Sequence, residues 1–271
     1  MLIEHSKFYA VKNFIYSEGR LLERKLFQYF FENGSKEACV KSLIAYQNDD
    51  GRFGNGIEPD LLTPSSSGIG IETALYIMDI LDYPDKEILS GISNWLINNI
   101  NDQGYIHHPP ADLKDYPYQP WWENPDKDRV LSIAGLLEKL GVNSGYGEDK
   151  ILDYAMQIEI PSKIEFYSYP FFIYALYNKS FPKGQTVIEQ YLQDFELFLE
   201  QNANHYPLFS RYWYHAIPFI SEDIVDKCAK VFVDSIKECG SIVNPYPQLP
   251  KWDALFTLDG LMILKKFRKF D

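Results

Sequence analysis

Two short stretches of the chain bring carboxylates and aromatic rings together. In Glu58-Pro59-Asp60 the proline stiffens the link, and residues i and i+2 of an extended segment share a face. Two carboxylates placed this way can divide acid and base work if one is desolvated, raising its pKa, while the other stays ionised. The plainer role is structural, with Glu58 bracing backbone amides and Asp60 capping a turn near Leu61. In Trp121-Trp122-Glu123 two indoles stand beside a carboxylate. That combination suits stacking on a sugar, stabilising a carbocation or holding a cationic ligand. The same rings could instead plug one mouth of a barrel. A third cluster, Tyr212-Trp213-Tyr214-His215, offers Tyr212, Trp213 and His215 as further ligand-binding candidates, or is plain packing.

Other chemistries find no support. His107 and His108 are adjacent and precede Pro109-Pro110; in an extended segment they point to opposite sides and make a poor chelating pair. Gly68-Ile69-Gly70 lacks the third glycine and the lysine of a phosphate loop, and there is no Gly-x-Ser-x-Gly elbow. Cys39, Cys228 and Cys239 are odd in number and scattered, so no disulfide framework, metal site or cofactor is expected. Lys and Arg total 26 against 38 Asp and Glu, a net charge of -12 that would repel a nucleic-acid backbone. No apolar run approaches the length of a membrane span and no cleavable leader is evident, so a cytoplasmic protein is expected.

The elements that must position these residues are helices. Ile188, Tyr191, Leu192, Phe195, Phe198 and Leu199 recur at the helical period, with Glu189, Gln190, Gln193, Asp194 and Glu196 between them. Ile224, Cys228, Val231 and Phe232 repeat the scheme. The punctuation predicts about twelve helices, near 5–16, 20–32, 35–47, 67–82, 85–100, 126–140, 147–158, 164–178, 185–200, 208–218, 222–238 and 252–267. Almost nothing alternates with period two. Long connections run from Asn48 to Ser66 and from Asn101 to Asn124, and loops of that length in a compact domain are often functional. Asn48-Asp49-Asp50-Gly51 and Asn101-Asp102-Gln103-Gly104 form a weak internal repeat, with a fainter echo at Gln201-Asn202-Ala203-Asn204. Ser65 to Ser67 read as a cap for the following helix. No flexible linker divides residues 1–271, which read as one all-α domain of about six hairpins, roughly 45 residues each.

The stretch from Leu43 through Gln47, Gly51 and Phe53 to Gly54 resembles the Gln-x-x-x-Gly-x-aromatic repeat of squalene and hopene cyclases and of protein prenyltransferase β-subunits. A longer run through Glu58, Asp60 and Ser65 to Ser67, the Pro120-Trp121-Trp122 loop and the Trp252 to Phe267 segment is similar to bacterial proteins of that superfamily. The resemblance implies an α/α toroid, a barrel of helical hairpins in two concentric layers around a central cavity. It also implies a terpenoid cyclase-like or prenyltransferase-like cavity enzyme acting on an apolar or isoprenoid-like molecule. The family's own catalytic motifs do not carry over. Asp-x-Asp-Asp is absent, and Asp49-Asp50 lacks the third aspartate of Asp-Asp-x-x-Asp. Asp226-Lys227-Cys228 has the zinc spacing, but His215 precedes it. The candidate catalytic residues are therefore Glu58, Asp60 and Glu123, with Trp121, Trp122, Tyr212, Trp213 and His215 for the ligand. Two alternatives stay open: a carbohydrate-active toroid that stacks a glycan on tryptophan and uses paired carboxylates, and a non-catalytic binding or scaffold protein.

Overall fold

The computed structural model describes residues 3–163, 168–202, 210–244 and 246–267; within helices, the side chain of Tyr212 lies outside the description. The described residues form eleven α-helices: α1 (His5–Glu18), α2 (Leu21–Phe31), α3 (Lys36–Ile44), α4 (Gly68–Ile80), α5 (Lys86–Asn99), α6 (Arg129–Lys139), α7 (Glu148–Gln157), α8 (Tyr169–Tyr177), α9 (Gly184–Asn202), α10 (Glu222–Asp234) and α11 (Lys251–Lys266). They include no strand, only three isolated antiparallel bridges. The chain is all-α, as its periodicity predicts.

Local chemistry sets the helix ends. Ser67 caps α4, its Oγ accepting from the Gly70 amide at 3.1 Å, and Asp85 caps α5 through the amides of Glu87 and Ile88. Pro84 therefore lies just outside the helix. α6 begins at Arg129, later than the start near 126 that the sequence predicts. The helix predicted over 208–218 is not an α-helix in its described part. Residues 211–213 and 217–219 make two short 3-10 turns. Pro218 has no amide hydrogen to donate to an α-helical ladder.

By its contacts the chain divides into two compact units, one formed by Leu43–Tyr191 and the other by Met1–Ser42 with Leu192–Asp271. Within the first, burial sorts the helices into two kinds. Every residue of α4 is buried, as are Arg129–Leu137 of α6 and Tyr169–Ala175 of α8. α5 and α7 each bury one stripe, Ile88, Leu89, Ile92, Ser93 and Leu96 in α5 and Ile151 and Ala155 in α7. A helix covered all round is an inner element, and one covered along a stripe faces water.

Two polar rungs tie the inner helices together. In the first, Arg129 Nη1 donates to Glu72 Oε2 at 2.7 Å and Nε to Asp126 at 2.8 Å. Ser132 Oγ and Tyr169 OH donate to the two oxygens of Glu72 at 2.6 and 2.7 Å. In the second rung Lys139 Nζ reaches Asp79 at 2.6 Å and lies 5.2 Å from the Tyr177 ring. Each rung takes an acid from α4, a base from α6 and a tyrosine from α8. Numbering rises together along all three helices from rung to rung, so they run parallel. Between the rungs α6 and α8 touch at backbone distance, because a Cβ on Gly135 would lie 2.7 Å from the Ile173 carbonyl oxygen.

The repeated turn of the sequence is a real structural unit. The Asn48 amide donates to Arg52 O at 2.7 Å and the Gly51 amide to Asn48 O at 2.9 Å. Asn101, Tyr105 and Gly104 make the same pair of bonds at 3.0 and 3.1 Å. Of the echo at 201–204, the first two residues end α9 and the other two lie outside the described residues. The third copy stands elsewhere, at Lys237 to Ser241, with bonds of 2.8 and 2.9 Å. Gly51, Gly104 and Gly240 have φ of 79°, 86° and 94°, a conformation that disfavours any side chain. Each glycine presses on a helix: Gly51 on Gly91 of α5, Gly104 on Lys150 O of α7, and Gly240 on Ala10 O of α1. The fifth residue of the turn packs on the same helix in two copies, with Arg52 over the Trp95 ring at 4.2 Å and the Tyr105 ring tilted against that of Tyr154 at 5.6 Å.

In the second unit α11 is buried from Ala254 to Leu264 apart from Phe256, and Gly260 lets the Phe232 ring of α10 lie against its backbone. Arg211 pairs with Asp259 of α11 at 2.8 Å; burial holds the Asp259 pKa above the usual carboxylate value despite that cation.

Three substitutions test this packing by chemical denaturation. Gly141→Ala, where nothing lies within 4 Å of the added methyl, should cost only the left-handed backbone penalty of about 1–2 kcal/mol. Gly240→Ala, whose Cβ would lie 2.3 Å from Ala10 O, should cost at least about 1–3 kcal/mol more. Equal losses would show that the α1 contact is not tight. Arg129→Met leaves buried Glu72 without its cation and should lower stability by about 3–5 kcal/mol; a neutral result would mean that the first rung does not hold the inner helices.

Candidate functional site

The segments between α3 and α4 and between α5 and α6 carry the candidate carboxylates and the tryptophan pair. The structure brings them together within the unit Leu43–Tyr191. Leu61 and Tyr118 form an antiparallel bridge, the Leu62 amide donates to Pro117 O at 3.0 Å, and the Gln119 amide donates to Asp60 O at 3.1 Å. Side chains complete the junction. The Trp122 indole N–H donates to Asp60 Oδ1 at 2.9 Å in a buried bond. The ring packs among Leu61, Ile69 and Leu113, with Tyr118 at the edge.

Trp121 and Trp122 therefore do different things. They sit in one 3-10 turn opened by Pro120, and successive residues there project to different sides. Trp122 is 8% exposed and Trp121 37% exposed. The two indoles do not present one stacking face. Glu123 is on the outside, where its Oε1 accepts from Tyr118 OH at 2.5 Å; that bond holds the Tyr118 phenol above its usual pKa.

Glu58 is the most deeply buried of the three candidate carboxylates, at 2% exposure against 5% for Asp60. Its Oε2 accepts from Thr73 Oγ1 of α4 at 3.4 Å, a long bond from a neutral hydroxyl. The Leu61 amide donates back to Glu58 O at 3.1 Å, closing the turn that carries both acids.

His108 joins this junction from the other side. One of its ring nitrogens, Nε2, lies 3.0 Å from Trp122 O, and its ring centroid is 5.9 Å from that of Trp122. Burial holds its pKa below the usual imidazole value. The first rung is close by: Arg129 passes Gly68 so tightly that a Cβ there would meet Arg129 Cγ at 3.1 Å, and Ile69 is part of the Trp122 cluster.

The remaining candidates belong to the other unit. Trp213 is buried against Phe195 and Phe198, with ring centroids 5.4 and 6.1 Å apart. His215 is buried with its ring 4.9 Å from that of Tyr214 in an edge-on contact. The Tyr212 side chain lies outside the described residues. Among the described residues no group of three or more His, Cys, Asp or Glu is placed to hold a metal ion, and no helix is long and apolar enough to cross a membrane.

Thr73, His108 and the first rung were not singled out by sequence as parts of one site. A signal for the rung existed: Glu72 interrupts the otherwise apolar run Gly68-Ile69-Gly70-Ile71 to Ile77, and Arg129 opens another. Thr73 carried no such signal. Compared with known proteins, the chain matches no family model, no curated protein and no solved structure.

Proposed function

We propose that the chain is a cavity enzyme on an α/α toroid, acting on an apolar or isoprenoid-like molecule with Glu58 as proton donor. The observation that carries this reading is the burial of the Glu58 carboxyl group at the junction of the two long segments, within hydrogen-bond distance of the Thr73 hydroxyl. Such an acid adds its proton to a carbon–carbon double bond and leaves a carbocation. The Glu58 carboxylate then recovers a proton when the cation loses one or is captured by water. One acid suffices for this, with no metal. A small-molecule ligand in a central cavity goes with the reading.

The toroid is supported by the parallel inner layer α4, α6 and α8, by the half-covered α5 and α7 behind it, and by the three equivalent glycine turns. The third turn rests on α1, so the N-terminal helix occupies the place that α5 and α7 hold beside the first two turns.

A carbohydrate-active enzyme finds less support, because paired-carboxylate hydrolysis needs two available acids. Asp60 is engaged by the Trp122 indole and Glu123 by the Tyr118 hydroxyl. The same two bonds favour the scaffold alternative, since they use candidate groups to fasten loops.

Incubating the purified protein with squalene and with geranylgeraniol, followed by product analysis, tests the proposal. The expected result is cyclised or hydrated product, with Glu58→Gln slowing its formation by about 10²–10⁴-fold at an unchanged melting temperature. If neither compound raises the melting temperature or is turned over, the scaffold reading replaces this one.

A further inference from the structure

We propose that His108 is a pH-responsive clasp on the loop bonded to Asp60, and that proton uptake by His108 loosens residues 107–124. Trp122 is held at two points. Its indole is fastened to Asp60 and its carbonyl to the His108 imidazole. A carbonyl oxygen only accepts, so Nε2 must carry the hydrogen, and in neutral His108 Nδ1 carries a bare lone pair. Protonation adds a second N–H, and a full charge, to a ring packed against Trp122.

The groups facing His108 decide what that charge meets. Asp126 attracts it, but Asp126 is already bonded to Arg129 Nε at 2.8 Å. Arg129 itself and the neighbouring His107 oppose it, and the Trp122 carbonyl favours it. Burial is the largest influence and acts against the charge, leaving the pKa lowered in the closed arrangement. A released, hydrated His108 would return to about 6.5. The released loop thus binds the proton more readily. Its closure is complete above that value and is lost progressively as pH falls toward the lowered pKa; each unit of difference multiplies the released population by up to about tenfold.

The clasp operates at the same junction as Glu58 but does not require Glu58 to be catalytic, and its readout is not turnover. Hydrogen–deuterium exchange of the full chain at pH 7.5 and 5.5, corrected for the chemical rate, should show faster exchange of residues 107–124 at the lower pH. His108→Gln, which keeps an N–H for the Trp122 carbonyl and does not titrate, should remove that difference. His107→Gln, at an exposed position, should retain it. NMR titration of the wild-type histidines provides a check independent of whether His108→Gln folds: one imidazole must titrate below about 6.5, at the midpoint of the exchange change. Identical wild-type protection at both pH values, a pH response persisting in His108→Gln, or midpoints that disagree would overturn the proposal. Loss of turnover in Glu58→Gln, or its absence, leaves these outcomes untouched.

Discussion

Arg129 is buried, only 7% exposed, and a guanidinium so placed must find its compensation in the protein. It does so from three directions: Glu72 on α4, Asp126 just before its own helix, and the Tyr169 hydroxyl at the start of α8. None of these partners can shift by a helical turn without leaving a buried charge unpaired. The register of the three inner helices is thereby restricted to one solution, where apolar packing alone would tolerate several. Replacing such a pair by hydrophobic residues is often nearly neutral for stability, while losing one partner is severe. The rung therefore contributes definition more than strength, and the loops beyond it inherit a fixed frame.

That frame makes the loop junction intelligible. Ile69 follows Gly68, past which Arg129 runs, and Ile69 also forms part of the pocket for the Trp122 ring. Fixing α4 thus fixes one wall of the pocket. Trp122 is amphipathic, and its burial demands an acceptor for the indole N–H, which Asp60 supplies. Asp60 in turn carries the bridge between the two long segments through its carbonyl. A charged core pair, an indole and a loop carboxylate form one dependent series. Glu58 lies two residues from its end, buried and within reach of the Thr73 hydroxyl.

How much of this was legible depended on whether the signal was local. Amphipathic stripes in α5 and α10, the Ser67 cap and the Gly51 turn all follow from residues within one or two turns of each other. The first long connection did too, whereas the second runs on to Asp128, beyond the Asn124 expected for it. Where the deciding partner was distant, sequence reading fell short. Nothing near Trp122 shows that its indole will point at Asp60 while Trp121 remains outside, because the choice depends on Leu61 and Ile69. The third glycine turn escaped notice because Lys237-Glu238-Cys239-Gly240 keeps only the glycine of the Asn-Asp-x-Gly pattern. Its backbone hydrogen bonds are nonetheless the same. The segment 208–218 has helical spacing but carries Pro218, and short-range sterics prevailed over periodicity there.

The unit built from Met1–Ser42 and Leu192–Asp271 has a consequence for the order in which the chain becomes structured. Leu43–Tyr191 is continuous, so its helices can find one another as soon as they are made. The other unit cannot: Gly240 has no surface to rest on unless α1 is already waiting, and α2 meets α11 only after nearly the whole chain has been made. Closing so long a loop is slow compared with forming a local hairpin. During synthesis the first helices emerge long before their partners, with Val11, Ile15 and Phe27 exposed. Helices α10 and α11 thus arrive long after α1 and α2 and complete the burial of those two.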